Sequence, residues 1–156
     1  AEDLGEITPD VIELLETLEL PGMKILQFAF GSGPDAPFLP HNYIENCAAY
    51  TGSHDNDTIL GWYRTAQNHE RDYCRRYLQT SGEHIALDMI RSVWASVASI
   101  AVTPLQDLLE LDTKARMNFP GTPAGNWTWR LPKNALTPAR QTYMREINEV
   151  YGRLAE

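Results

Sequence analysis

The stretch that most constrains the fold is residues 47–63. A short apolar run there is followed by Gly52, a cluster of polar residues and an amphipathic run. This order predicts a buried strand, a turn at the glycine and a helix that Asp57 or Thr58 caps. A strand that leads through a short loop into a helix is the repeating unit of α/β proteins.

Two side chains with chemical potential, His54 and Asp55, fall in the predicted loop between this strand and this helix. Catalytic side chains collect in loops that follow parallel strands, so the loop is the first candidate for a functional site. Two alternatives exist. Residues 55–57 can serve only as turn formers and helix caps. Asp55 and Asp57 can also bind a metal with His54, although the spacing misses zinc motifs and lacks the later ligands of a calcium loop.

The rest of the chain alternates between predicted helices and strands. The predicted elements are a helix from residue 9, strands at 23–30 and 98–102, a helix from residue 83, a short helix at 105–111 and a last helix from residue 137. Alternation of this kind predicts parallel pairing and right-handed crossovers. Only three whole strands are visible, whereas a closed (β/α)₈ barrel has eight strands and about 250 residues.

Composition narrows the classes of partner and compartment. The net charge of −8 and the absence of a Lys/Arg cluster argue against a nucleic-acid surface. No apolar run is long enough to span a bilayer, so no membrane partner is expected. Two cysteines make no disulfide framework, which favours a reducing compartment. The chain starts without a methionine and reads like the continuation of a preceding segment.

Six short motifs occur in one order along nearly the whole chain. They are Ala1-Glu2-Asp3-Leu4-Gly5, Leu20-Pro21-Gly22-Met23-Lys24, Pro40-His41-Asn42-Tyr43, Tyr50-Thr51-Gly52 with His54-Asp55-Asn56-Asp57, Pro104-Leu105-Gln106-Asp107, and Arg116-Met117-Asn118 with Pro120-Gly121-Thr122 and Gly125-Asn126-Trp127. This series resembles the carboxyl-terminal part of the 4-α-glucanotransferases, the amylomaltases or disproportionating enzymes of glycoside hydrolase family 77.

The resemblance implies an α/β fold that is only part of a larger one. Residues 1–156 are expected to form the carboxyl-terminal part, about strands 5–8, of one α-amylase-like (β/α)₈ catalytic barrel. This part would include the last long loop, 114–132, and a carboxyl-terminal helix, 137–155.

The resemblance also implies roles for individual residues. Glu2 matches the general acid/base at the end of the fifth strand, and Asp55 matches the carboxylate that holds and distorts the donor sugar. His54 matches a histidine that hydrogen-bonds the same ring. Phe28, on the sixth strand, matches an aromatic residue at the acceptor mouth, and Asn126 matches a sugar-contacting asparagine. The family's nucleophile, an aspartate in an Arg-x-Asp motif, would lie before residue 1.

The implied reaction is retaining transfer of α-1,4-glucan segments to glucose or maltooligosaccharides. Retaining enzymes use two carboxyl groups about 5–5.5 Å apart, one as the nucleophile and one as acid and then base. Glu2 would have to carry a proton to donate to the leaving oxygen, while Asp55 would stabilise positive charge on the sugar. Phe28 would exclude water and stack on a pyranose acceptor. This chemistry requires neither a metal nor an organic cofactor.

Each of these roles has a structural alternative. Glu2 can be an ordinary exposed residue, and Phe28 can be part of the core. Trp127 and Trp129 alternate as in a half-buried strand, so they can be core residues or sugar platforms.

Two functional hypotheses follow, and they are compatible. In the first, the chain is part of a glucan-transferring enzyme, cytoplasmic or, in a eukaryote, plastidial. In the second, the 156 residues alone are a catalytically inactive half-barrel with only sugar-binding or assembly behaviour. The open sheet of such a half-barrel would pair with the missing amino-terminal half or with a second copy in a homodimer.

Overall fold

A computed structural model describes residues 2–5 and 7–154 as an α/β structure built on a short parallel sheet. Strand β1 (Gly22–Ile25) pairs with β2 (Cys47–Tyr50), and β2 pairs with β3 (Ile100–Val102). Both pairings are parallel, which confirms the prediction from the alternation of strands and helices. Among the described residues no further strand joins the sheet, so the outer edges of β1 and β3 have no partner strand there.

Helices surround this sheet. They are α1 (Pro9–Thr17), α2 (Ile59–Thr65), α3 (Asn68–Leu78), α4 (Ile85–Trp94), α5 (Leu105–Leu108) and α6 (Pro138–Val150), with 3₁₀ turns at Leu26–Phe28, Pro40–Asn42 and Thr113–Ala115. Over residues 2–5 and 7–154, no helix is long and apolar enough to cross a membrane.

Helix α4 is the centre of the core. Six of its ten residues are buried: Ile85, Ala86, Met89, Ile90, Val93 and Trp94. It contacts α2, α3, α5, α6 and β3. Burial of one large apolar side chain stabilises the folded state by about 1.5–3 kcal/mol. The buried side chains of α4 belong to one hydrophobic cluster that includes residues of most other elements.

Helix α1 differs from α4, because none of its residues is buried. Its apolar residues Val11, Ile12 and Leu14 are 37%, 46% and 56% exposed. The sequence pattern therefore predicted the helix correctly, but the apolar face that it implied is uncovered in the described part of the chain.

The predicted strand at 23–30 is wrong in its second half. β1 ends at Ile25, and the chain turns through Leu26–Phe28, where the Ala29 amide donates to the Leu26 carbonyl at 3.0 Å. The reason lies at Gln27. Its backbone amide donates to the Thr51 carbonyl at 3.3 Å, and its buried side chain reaches the Asp57 carbonyl.

Two predictions about the last third of the chain also need correction. The final helix ends at Val150, because Gly152 adopts φ +64° and its amide turns back to the Glu149 carbonyl; residue 155 lies outside the described residues. Trp127 and Trp129 form no strand. Trp127 has φ +60°, which is incompatible with an extended chain.

Candidate active site

A cavity of about 930 Å³ opens at the carboxyl ends of the three strands. Its wall includes four of the five predicted site residues: Glu2, Phe28, His54 and Asp55. These residues come from three separate parts of the sequence. A cavity of this size is typical of a site for a small organic ligand.

Asp55 lies in the loop after β2 with its side chain half exposed, at 49%. The His54 Nε2 atom is 3.4 Å from Asp55 Oδ1, and the Asn118 side-chain amide donates to the same oxygen at 2.5 Å. Asp55 Oδ2 accepts no hydrogen bond from the described residues. The carboxylate therefore has one oxygen held by the protein and one available to a ligand.

The neighbouring polar residues do act as turn formers and caps. The Asp57 carboxylate accepts from the Thr58 amide and from the Thr113 hydroxyl, both at 2.8 Å, and the Thr58 hydroxyl caps α2 by accepting from Gly61 N at 3.1 Å. Asn56 Oδ1 accepts from the Ser53 amide at 2.9 Å. The structural alternative thus holds for residues 56–58, and Asp55 differs from them.

Asp107 connects the two ends of this loop, Thr51 and Ile59. Its side chain is 1% exposed, and it accepts from the Ile59 amide at 2.8 Å and from the Thr51 hydroxyl at 3.0 Å. Burial raises the pKa of the Asp107 carboxyl to about 6. The Asp57 carboxylate raises this pKa further, while the two hydrogen bonds lower it. A buried carboxyl group therefore fixes where the loop leaves β2 and where it enters α2.

Gln27 supports the same loop from the turn after β1. Its side-chain amide donates to the Asp57 carbonyl at 2.8 Å and passes directly under Gly52. A Cβ atom at residue 52 would lie 2.6 Å from Gln27 Nε2. The pivot predicted at Gly52 is therefore needed for close approach, because any side chain there would displace the buried amide.

The segment 114–132 is hydrogen-bonded to the loop at residues 54 and 55. The Asn118 amide donates to the His54 carbonyl at 3.1 Å, and the Arg116 guanidinium donates to the Asp55 carbonyl at 2.6 Å. The Trp127 ring lies 4.9 Å from the His54 ring and is 52% exposed. This long loop is therefore part of the cavity wall, to which Arg116, Met117, Pro120 and Trp127 contribute.

Glu2 lines the cavity and is exposed. Glu2 and Asp55 line the same cavity. Residues 2–5 have no strand structure, and a position of Glu2 at the end of a strand stays a prediction. The tether of this segment is Asp3, whose carboxylate accepts from the Met23 amide of β1 at 2.5 Å.

Phe28 is 47% exposed at the cavity wall, so it is not a core residue. It lies in the turn after β1, not in the strand itself. Its ring meets that of Phe38 edge to face, with ring centroids 5.6 Å apart. Phe28 therefore forms part of the cavity wall, and Phe38 packs against it.

Asn126 does not line the cavity. Its side-chain oxygen accepts from the Phe119 amide at 2.9 Å, and its nitrogen donates to the Thr122 carbonyl at 3.1 Å and hydroxyl at 3.0 Å. The side chain is therefore engaged in closing the tip of the 114–132 loop. A sugar contact by Asn126 stays a prediction that this geometry does not support.

Sequence reasoning assigned no role to three residues that build the site: Gln27, Asp107 and Asn118. A signal was present for two of them, because Asp107 and Asn118 stand in motifs that carried the family resemblance. Gln27 was one of two polar residues, with Lys24, in a predicted buried strand. A buried polar side chain in such a strand requires a partner, which is the signal that could have identified it.

No group of three or more His, Cys, Asp or Glu side chains that could hold a metal ion occurs within residues 2–5 and 7–154. His54 and Asp55 lie close together, but the Asp57 carboxylate accepts from the Thr58 amide and the Thr113 hydroxyl. Cys47 and Cys74 are both buried and unpaired.

Comparison with known proteins identifies the family. The family model described as 4-alpha-glucanotransferase matches residues 1–137. The chain is 49% identical to the 4-alpha-glucanotransferase of Thermus thermophilus, over 99% of this chain and 32% of that protein. It is 46% identical to the chloroplastic/amyloplastic 4-alpha-glucanotransferase of Solanum tuberosum, over 99% of this chain and 27% of that protein.

A solved structure gives the same result. The amylomaltase from Streptococcus agalactiae in complex with acarbose superposes with a TM-score of 0.96 at 38% identity, over 99% of this chain and 32% of that one. The chain therefore spans about a third of the length of the relatives that it matches. By its sequence and by its fold, it belongs to the 4-alpha-glucanotransferase family.

Proposed function

We propose that this chain is the carboxyl-terminal part of the catalytic barrel of a 4-α-glucanotransferase, and that Glu2 and Asp55 are two of its catalytic carboxyl groups. The observation that carries the proposal is the convergence of Glu2, His54, Asp55 and Phe28 on one cavity at the carboxyl ends of parallel strands. The fraction of the relatives' length that the chain spans supports a partial barrel.

In this proposal the reaction is a two-step retaining transfer. Glu2 protonates the leaving glycosidic oxygen and later removes the proton from the acceptor hydroxyl. Asp55 uses its free oxygen to bind the donor sugar and to stabilise positive charge as the bond breaks. His54, beside Asp55 Oδ1, lies where it can hydrogen-bond the same sugar.

The acceptor side explains why transfer would prevail over hydrolysis. The covalent glycosyl intermediate must meet a sugar hydroxyl before it meets water. The exposed ring of Phe28, backed by Phe38, offers an apolar surface on which a pyranose can stack and from which it displaces water. The substrates are α-1,4-glucans and maltooligosaccharides, with glucose as the smallest acceptor.

The nucleophile of this reaction is assigned to a segment outside the 156 residues. Four carboxyl groups line the cavity: Glu2, Asp55, Asp57 and Asp107. Asp57 and Asp107 each accept two hydrogen bonds from the protein and are held in structural positions. We therefore expect no transfer activity from the chain alone.

The second hypothesis, an assembly property of the isolated chain, is favoured by separate observations. The outer edges of β1 and β3 have no partner strand in the described residues, and α1 exposes its apolar side chains. The rest of the barrel would cover these edges and this helix. A homodimer of the isolated chain through one of these uncovered surfaces stays a prediction.

The test uses the full-length enzyme and maltotriose disproportionation. Glu2→Gln keeps the shape of the side chain but cannot deliver a proton, so turnover should fall by about 10²–10⁴-fold while maltotriose binding by calorimetry is retained. Asp55→Asn should also lose most of its turnover. Glu83→Gln, an exposed glutamate outside the cavity, is the matched control and should behave like the wild type. Near-wild-type turnover of Glu2→Gln would defeat the assignment.

A further inference from the structure

We propose that Arg116 and Asn118 are positioning residues that hold Asp55 in its reactive orientation. The inference rests on the proposed function, since it assigns these residues a role through the Asp55 carboxylate. Neither residue is proposed to take part in bond making or breaking.

The first observation is the direct bond between two side chains. The Asn118 side-chain amide donates to Asp55 Oδ1 at 2.5 Å, on the oxygen that also faces His54 Nε2 at 3.4 Å. Because both contacts use Oδ1, they select one rotamer of Asp55 and direct Oδ2 away from the protein partners. An aspartate that is 49% exposed has little packing to fix its rotamer, so this bond is what distinguishes one orientation from the others.

The second observation is that the backbone of His54 and Asp55 is held as well. The Asn118 amide donates to the His54 carbonyl at 3.1 Å, and Arg116 Nη2 donates to the Asp55 carbonyl at 2.6 Å. The bonds to the backbone and to the side chain therefore act together. They fix both the position and the direction of the carboxylate.

Arg116 makes the arrangement rigid. Its Nε donates to the Asn118 carbonyl at 2.8 Å while its Nη2 bonds Asp55, so one planar guanidinium ties the two segments together. The guanidinium also lies over the Phe119 ring, with 4.5 Å between Cζ and the ring centroid. These contacts, called the Arg116–Asn118 bracket below, join residues more than 60 positions apart in sequence.

The chemical consequence is that the Asp55 carboxylate is preorganised. A carboxylate that stabilises developing charge acts best when it is aimed before the transition state forms. A misplacement of about 1 Å can cost about 10²-fold in rate. We therefore expect loss of the bracket to weaken binding of a ligand that makes full use of Asp55, and to lower kcat more than it raises KM.

The experiment measures acarbose binding by calorimetry in the full-length enzyme, since acarbose is bound by the solved relative from Streptococcus agalactiae. Four proteins form a cycle: wild type, Asn118→Ala, Asp55→Asn and the double variant. Thr122→Val is the loop control, because its hydroxyl bonds the Phe119 carbonyl of the same loop but makes no bond to His54 or Asp55. In parallel, kcat and KM for maltotriose are measured where turnover permits.

If the bracket acts through Asp55, Asn118→Ala should weaken acarbose binding at least 10-fold in the wild-type background and less than twofold in the Asp55→Asn background. Thr122→Val should stay within twofold of the wild type. Asn118→Asp, which places a second carboxylate against Asp55 Oδ1, should be worse than Asn118→Ala. Arg116→Lys, which cannot bridge the two segments with a planar fork, serves as the second variant should Asn118→Ala fail to fold.

Two results would overturn the inference. One is equal weakening by Asn118→Ala in both backgrounds, because additive effects mean that Asn118 does not act through Asp55. The other is acarbose binding by Asn118→Ala that matches the wild type. Either result leaves the proposed function standing as long as Asp55→Asn is itself inactive. An active Asp55→Asn would instead defeat the proposed function.

Discussion

The loop at residues 51–59 and the amino-terminal segment, residues 2–5 and 7–20, both contribute to the cavity, yet they are held very differently. Asp107 anchors both ends of the loop, Gln27 supports it from the turn after β1, and the Arg116–Asn118 bracket covers it. The amino-terminal segment bonds β1 through Asp3 and Asn46 through the Glu19 carbonyl, and its helix α1 buries no residue. Among the described residues, more bonds therefore hold the loop that carries Asp55 than hold the segment that carries Glu2.

The two regions differ in how many parts of the described chain bond to them. The loop after β2 has neighbouring strands on both sides, so polar groups from the turn after β1, from α5 and from the 114–132 loop can reach it. The described chain offers no strand beyond β1, and the amino-terminal segment is joined to β1 by the Asp3–Met23 hydrogen bond. Its apolar residues need a neighbour to bury them, and we expect the rest of the barrel to supply it.

The largest expected effect is the difference in the free energy of unfolding between a substitution on α4 and one on α1. Ile90 on α4 is fully buried and Leu14 on α1 is 56% exposed. In the 156-residue chain, Ile90→Ala should lower the free energy of unfolding by about 2–5 kcal/mol. Leu14→Ala should change it by less than about 0.5 kcal/mol. Urea denaturation at one fixed protein concentration measures both.

The same two substitutions in the full-length enzyme test whether α1 is covered there. If the rest of the barrel covers α1, Leu14→Ala should become markedly more destabilising there, while Ile90→Ala should be destabilising in both contexts. A Leu14→Ala effect that is equally small in the full-length enzyme would mean that the apolar face of α1 stays in water.

A smaller effect concerns the pH dependence of the anchor under the loop. The pKa of Asp107 is raised from its ordinary value of 3.8 to about 6, so the folded chain binds this proton more tightly than the unfolded chain does. The resulting stabilisation is fully present below pH 3.8 and is lost as the pH rises through about 6. At about 1.4 kcal/mol per pKa unit, the loss amounts to at most about 3 kcal/mol.

The check compares wild type with Asp107→Asn at pH 4 and pH 7 by urea denaturation. The asparagine cannot ionise, so the wild type should lose stability relative to this variant between the two pH values. Asp72→Asn, which removes an exposed carboxylate on α3, is the control and should show no comparable difference. A constant gap between wild type and Asp107→Asn across this range would mean that Asp107 does not titrate there.

Much of this architecture could be predicted from local sequence patterns. The strand, glycine, polar loop and capped helix around Asp55 follow from short-range preferences, and so does the parallel pairing. The end of β1 could not be predicted, because the run after Ile25 is as apolar as the strand itself. The chain turns there since Gln27 bonds Thr51 and Asp57, which are distant in sequence.

The site residues also differ in how far they could be predicted from the sequence. Glu2 was identified through the family resemblance alone. Asp55 was also singled out by its place in the loop after a predicted strand, although a plain turn role remained open for it there. Asn126 shows the limit of that approach, since the resemblance suggested a sugar contact and the structure uses both amide atoms within the loop. The roles of Asp107 and Asn118 depend on pairings between distant residues, which no local pattern contains.

The most direct test of the account is amide hydrogen exchange of the 156-residue chain, compared with the same residues in the full-length enzyme. The account predicts that residues 51–59 exchange slowly in both proteins, because their anchors lie within the chain. It predicts that residues 7–20 exchange rapidly in the chain alone and become protected in the full-length enzyme. Slow exchange of residues 7–20 in the isolated chain, or loss of protection in residues 51–59, would contradict it.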